Sequence, residues 1–108
     1  MPRRPRIPES MKNVTLRQLK IFESVARHLS FSRAAEELHL TQPAVSMQVQ
    51  ALEDQAGLPL TEQAGKRVRL TAAGEEMARQ ARRIAEQLRE AGEALSALKG
   101  VEGGRLKI

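Results

Sequence analysis

The sequence predicts a mainly α-helical fold: a few short helices, a two-stranded ribbon, and a helix too long for the body it belongs to. Three observations predict it. Only two of the 108 residues are aromatic, Phe22 and Phe31, so the core must be built from Leu, Val, Ile, Ala and Met, residues that suit packed helices better than sheets. Leu16, Leu19, Phe22, Ala26 and Leu29 recur at three- and four-residue steps, as do Val45, Val49 and Leu52, the period of a helix with one buried face. Met77, Ala81, Ile84, Leu88, Ala91, Leu95 and Leu98 repeat in steps of 4, 3, 4, 3, 4 and 3, three heptads of a coiled-coil seam.

The elements follow in order. Residues 1–13 hold three prolines and four basic residues without periodicity and read as a flexible basic arm. Thr15, with Gln18 three residues on, is a capping box that opens the first helix. A second helix starts near Ser32, carries Ala34, Ala35 and Leu38, and ends at "HLT". Thr41 caps a third, in which Pro43 is tolerated because first-turn amides have no helical partner; Gly57 ends it. In "LPLTEQAGKRVRLT", Leu58 and Leu60 alternate on one side of Gly65, and Val68 and Leu70 on the other. That is a two-stranded ribbon with a basic tip. Thr71 caps a helix expected from Ala72 to Lys99, about 42 Å long at 1.5 Å per residue. "GVEGG" should break it, and "RLKI" alternates like the first residues of a strand.

Composition narrows the function. There is no cysteine, hence no disulfide framework and no thiolate metal site. His28 and His39 have no partner at metal-ligand spacing, and no serine sits in a nucleophile motif, so neither an enzyme nor a cofactor is expected. No run of about 18 apolar residues marks a membrane span; the cytoplasm is the expected compartment. The net charge of +5 is concentrated. Residues 1–13 carry +3 and residues 61–71 carry +2, whereas residues 14–60 carry −1. Charge focused at particular points suits nucleic acid met at those points.

Two short helices joined by a tight turn, the second opening with polar residues, form a helix-turn-helix. Ala35, Leu38, Leu40 and Val45 are placed to lock it, and His39 stands in the turn, where a left-handed residue is often needed. With the following ribbon this becomes a winged helix-turn-helix. Stepping about 100° per residue puts Val45, Val49 and Leu52 on one side of the third helix. Pro43, Ser46, Met47 and Gln50 fall on the other, with Ala44 at its edge and Gln42 at the helix start. That face has no charge. Glutamine can bridge an adenine edge, serine is versatile, and Pro, Ala and Met can meet a thymine methyl. Reading bases needs no cation if other residues hold the phosphates. Arg33, beside Ser32, and Lys66 and Arg67 on the wing are the candidates, with Thr41 at the cap.

The run "TLRQLKIFESVARHLSFSRAAEELHLTQPAVSMQVQALEDQAGLPL" followed by "LTAAG" resembles the N-terminal domain of the LysR-type transcriptional regulators, over about residues 14–99. "LTQPAVSMQVQALE" looks most like the members that govern carbon-fixation (RuBisCO) operons. The resemblance implies a winged helix-turn-helix at residues 14–71 and a dimerising linker helix at 72–99, with 100–108 beginning an effector domain that the chain lacks. It further implies double-stranded DNA as partner, a homodimer paired through the seam (a higher oligomer in the longer protein), and a small-molecule effector bound only by that further domain. Residues matching Gln42, Pro43, Ala44 and Ser46 would face the major groove, and those matching Lys66 and Arg67 the backbone or minor groove. Many members carry Arg where this chain has Met47 and Gln63, and most carry Phe at Thr61, so two DNA contacts and part of the core under the wing differ here. A rival expectation is a protein–protein module built on the heptad helix, which predicts no salt-dependent affinity for DNA.

Overall fold

The structure, a computed structural model, describes residues 9–102. Helix α1 spans Leu16–His28, α2 Phe31–Leu38 and α3 Gln42–Ala56; strands β1 (Thr61–Ala64) and β2 (Arg67–Leu70) precede helix α4, Ala72–Glu102. The mainly helical class and the two-stranded wing are as the sequence predicts. A short 3-10 turn at Glu9–Met11 comes first and lies against α3. Residues 9–13 are therefore not part of a free arm: Val14 packs on the core and its amide donates to Met11 at 3.2 Å. The rest of the expected arm, and the expected strand start at 105–108, lie outside the described residues.

Local chemistry sets the helix ends. The Thr15 hydroxyl accepts from the Gln18 amide at 3.0 Å while the Gln18 side chain accepts from the Thr15 amide at 3.1 Å, the reciprocal capping box. Helix α2 begins one residue earlier than expected because Ser30 caps it, its hydroxyl accepting from the Arg33 amide at 3.1 Å. Thr41 caps α3 through the Ala44 amide at 3.2 Å. Two helices end on non-glycine residues in the left-handed region, Leu29 at φ 52° and His39 at φ 57°. His39 is the tight turn of the helix-turn-helix, and histidine visits that region more readily than most residues.

The core lies where α1, α2 and α3 meet. Phe22, Val25, Val45, Leu52 and Leu60 are its largest fully buried apolar side chains. Periodicity misplaced the edges of the α1 face. Leu16 and Leu29 are exposed, while Ile21 and Val25 are buried, because α1 touches α2, α3 and α4 at once and three neighbours cover more than a single stripe.

The wing also departs from expectation at its base. Leu58 and Leu60 do not form a strand: Pro59 has no amide to give, and the Leu60 amide is taken by the Glu53 carboxylate at 2.8 Å. Pairing starts at Thr61 opposite Leu70 and ends at Ala64 opposite Arg67. That leaves Gly65 and Lys66 as a two-residue turn, with Gly65 at φ 67°, glycine first as a type II′ hairpin requires.

Helix α4 runs three residues beyond the expected Lys99, through Gly100 to Glu102. One glycine costs a helix about 1 kcal/mol, too little to stop it. The first ten residues of α4 belong to the domain: Ala78 and Ala81 are buried and Met77 packs against the core. Ala81 is 4% exposed and Met77 is partly buried, so both are covered in part by their own chain, which leaves less of them for the expected intermolecular seam. From residue 82 to 100 every residue is exposed. Among the described residues, no helix is long and apolar enough to cross a membrane.

Helices α1, α2 and α4 are cross-tied by charge. Arg27 donates to both Glu37 oxygens at 2.9 and 2.7 Å and to Glu23 at 3.2 and 3.3 Å; His28 also meets Glu37, and Arg82 of α4 reaches Glu23 at 3.8 Å. Hydrogen bonds from Arg27 and then His28 hold the Glu37 carboxyl down at about 2, from an ordinary 4.5.

Two predictions follow from this packing. A Cβ at Gly74 would lie 1.9 Å from the Leu60 carbonyl oxygen, whereas at Gly92 it would meet nothing within 4 Å. Gly74→Ala should therefore cost about 3 kcal/mol, while Gly92→Ala should be neutral or stabilise by up to about 1 kcal/mol. Urea unfolding of both variants checks this, and equal tolerance would contradict the close approach. Because the Glu37 carboxyl is depressed on folding, its stabilisation is present above about pH 4.5 and is lost as pH falls towards 2. Glu37→Gln should lower the melting temperature near neutral pH, and the gap to the parent should shrink through that window. A gap that stays constant down to pH 2 would rule out the pairing.

Candidate nucleic-acid interface

The first half of α3 stands out from the body. Val45, Val49 and Leu52 anchor it inward, and Thr41, Gln42, Pro43, Ser46, Met47 and Gln50 are all exposed on the other side. Ala44 is half-buried at the rim. Met47 is 71% exposed, so its apolar side chain is open to a partner. Gln42, Ser46 and Gln50 make no side-chain hydrogen bond among the described residues, so their donors and acceptors are open. The face is uncharged, about five residues long, and rigidly held, since the inward anchors are fully or almost fully buried.

Cations flank it on two elements. Arg33 sits in the first turn of α2, next to exposed Ser32, whose hydroxyl lies 3.2 Å from that of Ser30. Lys66 and Arg67 occupy the wing tip and are exposed. Arg33, Lys66 and Arg67 have no ion pair among the described residues, in contrast to Arg69, which donates to Glu62 at 3.0 Å across the ribbon. The wing charge available to a partner is therefore Lys66 and Arg67. The sequence-predicted residues thus fall into two groups, an α3 face and a pair of basic flanks, carried by three elements packed on one core.

The expected dimer residues divide in the same way. Ile84, Leu88, Ala91, Leu95 and Leu98 lie exposed along α4, and Leu95 and Leu98 are 65% and 61% exposed. Ile84 and Leu88 border a groove of about 650 Å³ between α1 and α4, lined also by exposed Leu16. Met77 and Ala81, the first two of the expected positions, pack on the core of their own domain.

Sequence reasoning missed Glu53. Its carboxylate accepts from the amides of Leu60 at 2.8 Å and Thr61 at 3.3 Å. A lone acid in a helix gives no sign that it will turn back to cap the next segment. Among the described residues, no group of three or more acidic or histidine side chains is placed to hold a metal ion.

Comparison with known proteins agrees with this arrangement. A RuBisCO operon transcriptional regulator of Allochromatium vinosum is 59% identical over 96 residues, 89% of this chain and 32% of that protein. Another, from Acidithiobacillus ferrooxidans, is 50% identical over 99 residues, 92% of this chain and 32% of that protein. The chain thus spans about a third of the length of the curated relatives it matches. The crystal structure of a CbnR_DBD–DNA complex superposes with a TM-score of 0.75 at 39% identity, covering 79% of this chain and 98% of that one. The sequence profile of the bacterial regulatory helix-turn-helix proteins, lysR family, matches residues 16–75, more than half of the chain, and the chain belongs to that family.

Proposed function

We propose that this chain binds double-stranded DNA in a sequence-specific manner, as a homodimer on an inverted-repeat promoter site. The single observation that carries this is the uncharged, unpartnered face of α3, in a domain whose α2 and wing carry unpaired, exposed cations. Bases are told apart by hydrogen bonds and methyl contacts in the major groove, and position is fixed on the phosphates. Gln42 and Gln50 offer the bidentate geometry that suits adenine. Pro43, Ala44 and Met47 offer apolar contact to thymine methyls, and Ser46 a donor or acceptor. Arg33 and Ser32 at the start of α2, Thr41 at the cap, and Lys66 and Arg67 on the wing take the backbone or the adjacent minor groove.

Residues 14–71 together with the first turns of α4 form the DNA-binding unit, and the rest of α4 is the dimer linker. The names of the relatives support genes of carbon fixation as the target, and a bacterial cytoplasm as the place of action. The chemistry is recognition, with no enzymatic step. Selection of bound sites from random duplexes tests the function directly. An enriched inverted repeat is the expected result, and no enrichment with no salt-dependent affinity would favour a protein–protein module instead.

The two roles separate by mutation. Gln42→Ala should weaken the selected site by about 1–3 kcal/mol and leave random DNA nearly unchanged. Lys66→Ala with Arg67→Ala should weaken every sequence and lower the salt slope by about 1 to 2. Equal losses on both DNAs for Gln42→Ala, or an unchanged slope for the wing variant, would assign these residues to other work.

The exposed α4 stripe supports the dimer. Leu95 and Leu98 are the cleanest positions to break, since Ile84 also borders the domain's own groove. Leu95→Asp with Leu98→Asp places charges at a buried apolar contact. The variant should be monomeric in light scattering, keep its melting temperature, and lose far more affinity for the inverted repeat than for one half-site. A variant that stays dimeric would place the interface elsewhere.

A further inference from the structure

The wing tip that carries Lys66 and Arg67 is exposed, yet a phosphate contact needs it held to within about an ångström. Its direction is set at its base. Four bonds meet there. The Glu53 carboxylate, from α3, accepts from the amides of Leu60 at 2.8 Å and Thr61 at 3.3 Å. The Thr71 amide, at the far end of the ribbon, donates to the Leu60 carbonyl at 3.1 Å. The Thr71 hydroxyl donates to the Pro59 carbonyl at 2.7 Å. Thr61 is the first paired residue of the wing and Leu60 is 1% exposed, so the acid grips the ribbon at the point where it leaves the core.

We propose that Glu53 is a positioning residue for the wing, a latch that fixes Lys66 and Arg67 relative to the reading face on the same helix. The wing is a lever. Four residues at about 3.3 Å each put the tip about 13 Å from the base, so a tilt of about 15° at the latch moves the cations by about 3 Å, enough to break a charge-assisted contact. Glu53 lies on α3 with Gln42 and Gln50, so a single rigid helix indexes both the base-reading groups and the phosphate-holding groups. Only its consequence for affinity rests on the DNA-binding reading; the latch itself is a property of the free protein.

Amide hydrogen exchange tests the latch without DNA. In the parent protein, the Leu60 and Thr61 amides should exchange at least tenfold more slowly than the amides of Leu58, Gly65 and Lys66, which donate no backbone hydrogen bond among the described residues. In Glu53→Ala they should lose that protection while those of Phe22, Val25 and Val49 keep theirs. Unprotected Leu60 and Thr61 amides in the parent would overturn the proposal, whether or not any variant folds. The DNA arm uses a mutant cycle. Glu53→Ala should weaken random and selected duplexes alike, about 5- to 30-fold, and lower the salt slope as the Lys66 and Arg67 alanine pair does. Combined with that pair it should add little, since the cations it positions are already gone. Glu53→Gln, which keeps one acceptor oxygen, should restore most of the slope. Additive losses, or a parental slope in a folded Glu53→Ala, would overturn the proposal. A parent without salt-dependent DNA affinity would instead overturn the DNA reading, and the exchange data distinguish the two failures.

Discussion

Helix α4 begins against the backbone of Leu60, so close that no side chain fits between them. The Leu60 carbonyl lies where a Cβ on Gly74 would be, and it accepts the Thr71 amide at the same place. Much else depends on this contact. It fixes the start of the long helix, and it closes the ribbon by joining its two ends. It also presses Leu60 into the core under α3. Leu60 therefore serves three elements at once, with its side chain in the core, its amide on α3 through Glu53, and its carbonyl on the α4 cap. A glycine is required at position 74 by distance, not by dihedral freedom, since it sits in an ordinary helical turn.

The charge distribution makes sense on that frame. The chain pairs many of its own charges: Arg27 with Glu37 and Glu23 and Arg69 with Glu62 in the domain, and Arg89 with Glu86 and Glu93 on the exposed part of α4. Exposed pairs of this kind contribute little stability each, but they remove cations from competition for an external anion. Arg33 on α2 and Lys66 and Arg67 on the wing are among the cations left without an ion pair among the described residues. A basic coat would hold any polyanion in any orientation. Three cations on two flanks of an uncharged face permit few orientations, and orientation is what lets neutral groups discriminate.

Much of this was legible in the sequence, for identifiable reasons. Capping residues act on amides three positions away, so Thr15, Thr41 and Thr71 announced three helix starts. The outward face of α3 followed from its period alone, because its inward anchors are a single narrow stripe. What was hidden depends on distant neighbours. Leu16 and Leu29 fit the period of α1 but are left exposed, Leu16 at the edge of the open groove beside α4, while Ile21 and Val25 are covered by the neighbouring helices. Ser24 is buried with its hydroxyl unpartnered among the described residues, which no pattern rule would place there. Glu53 and the true start of the wing were hidden for the same reason: a carboxylate seven residues upstream had already claimed the amide that a strand would need.

The heptad on α4 shows how a correct pattern can carry two meanings. Seven apolar residues at steps of four and three predict one continuous intermolecular seam. The first two, Met77 and Ala81, face the domain's own core, and the stripe emerges only at Ile84. The period itself explains the handover. A straight α-helix drifts about 20° per heptad against a strict seven-residue repeat, so across three heptads the stripe turns by about 60° between Met77 and Leu98. Near α1 the stripe faces inward; further along it has swung off that direction, and the body has ended. Small residues sit where the chain packs on itself, at Gly74, Ala78 and Ala81, and branched ones where it emerges, at Ile84, Leu88, Leu95 and Leu98. Close approach to an adjoining helix favours the first set, and filling the wider gap to a separate helix favours the second. A continuous repeat can thus weld a linker to its own domain at one end and leave an apolar edge open at the other, with no break in the helix between them.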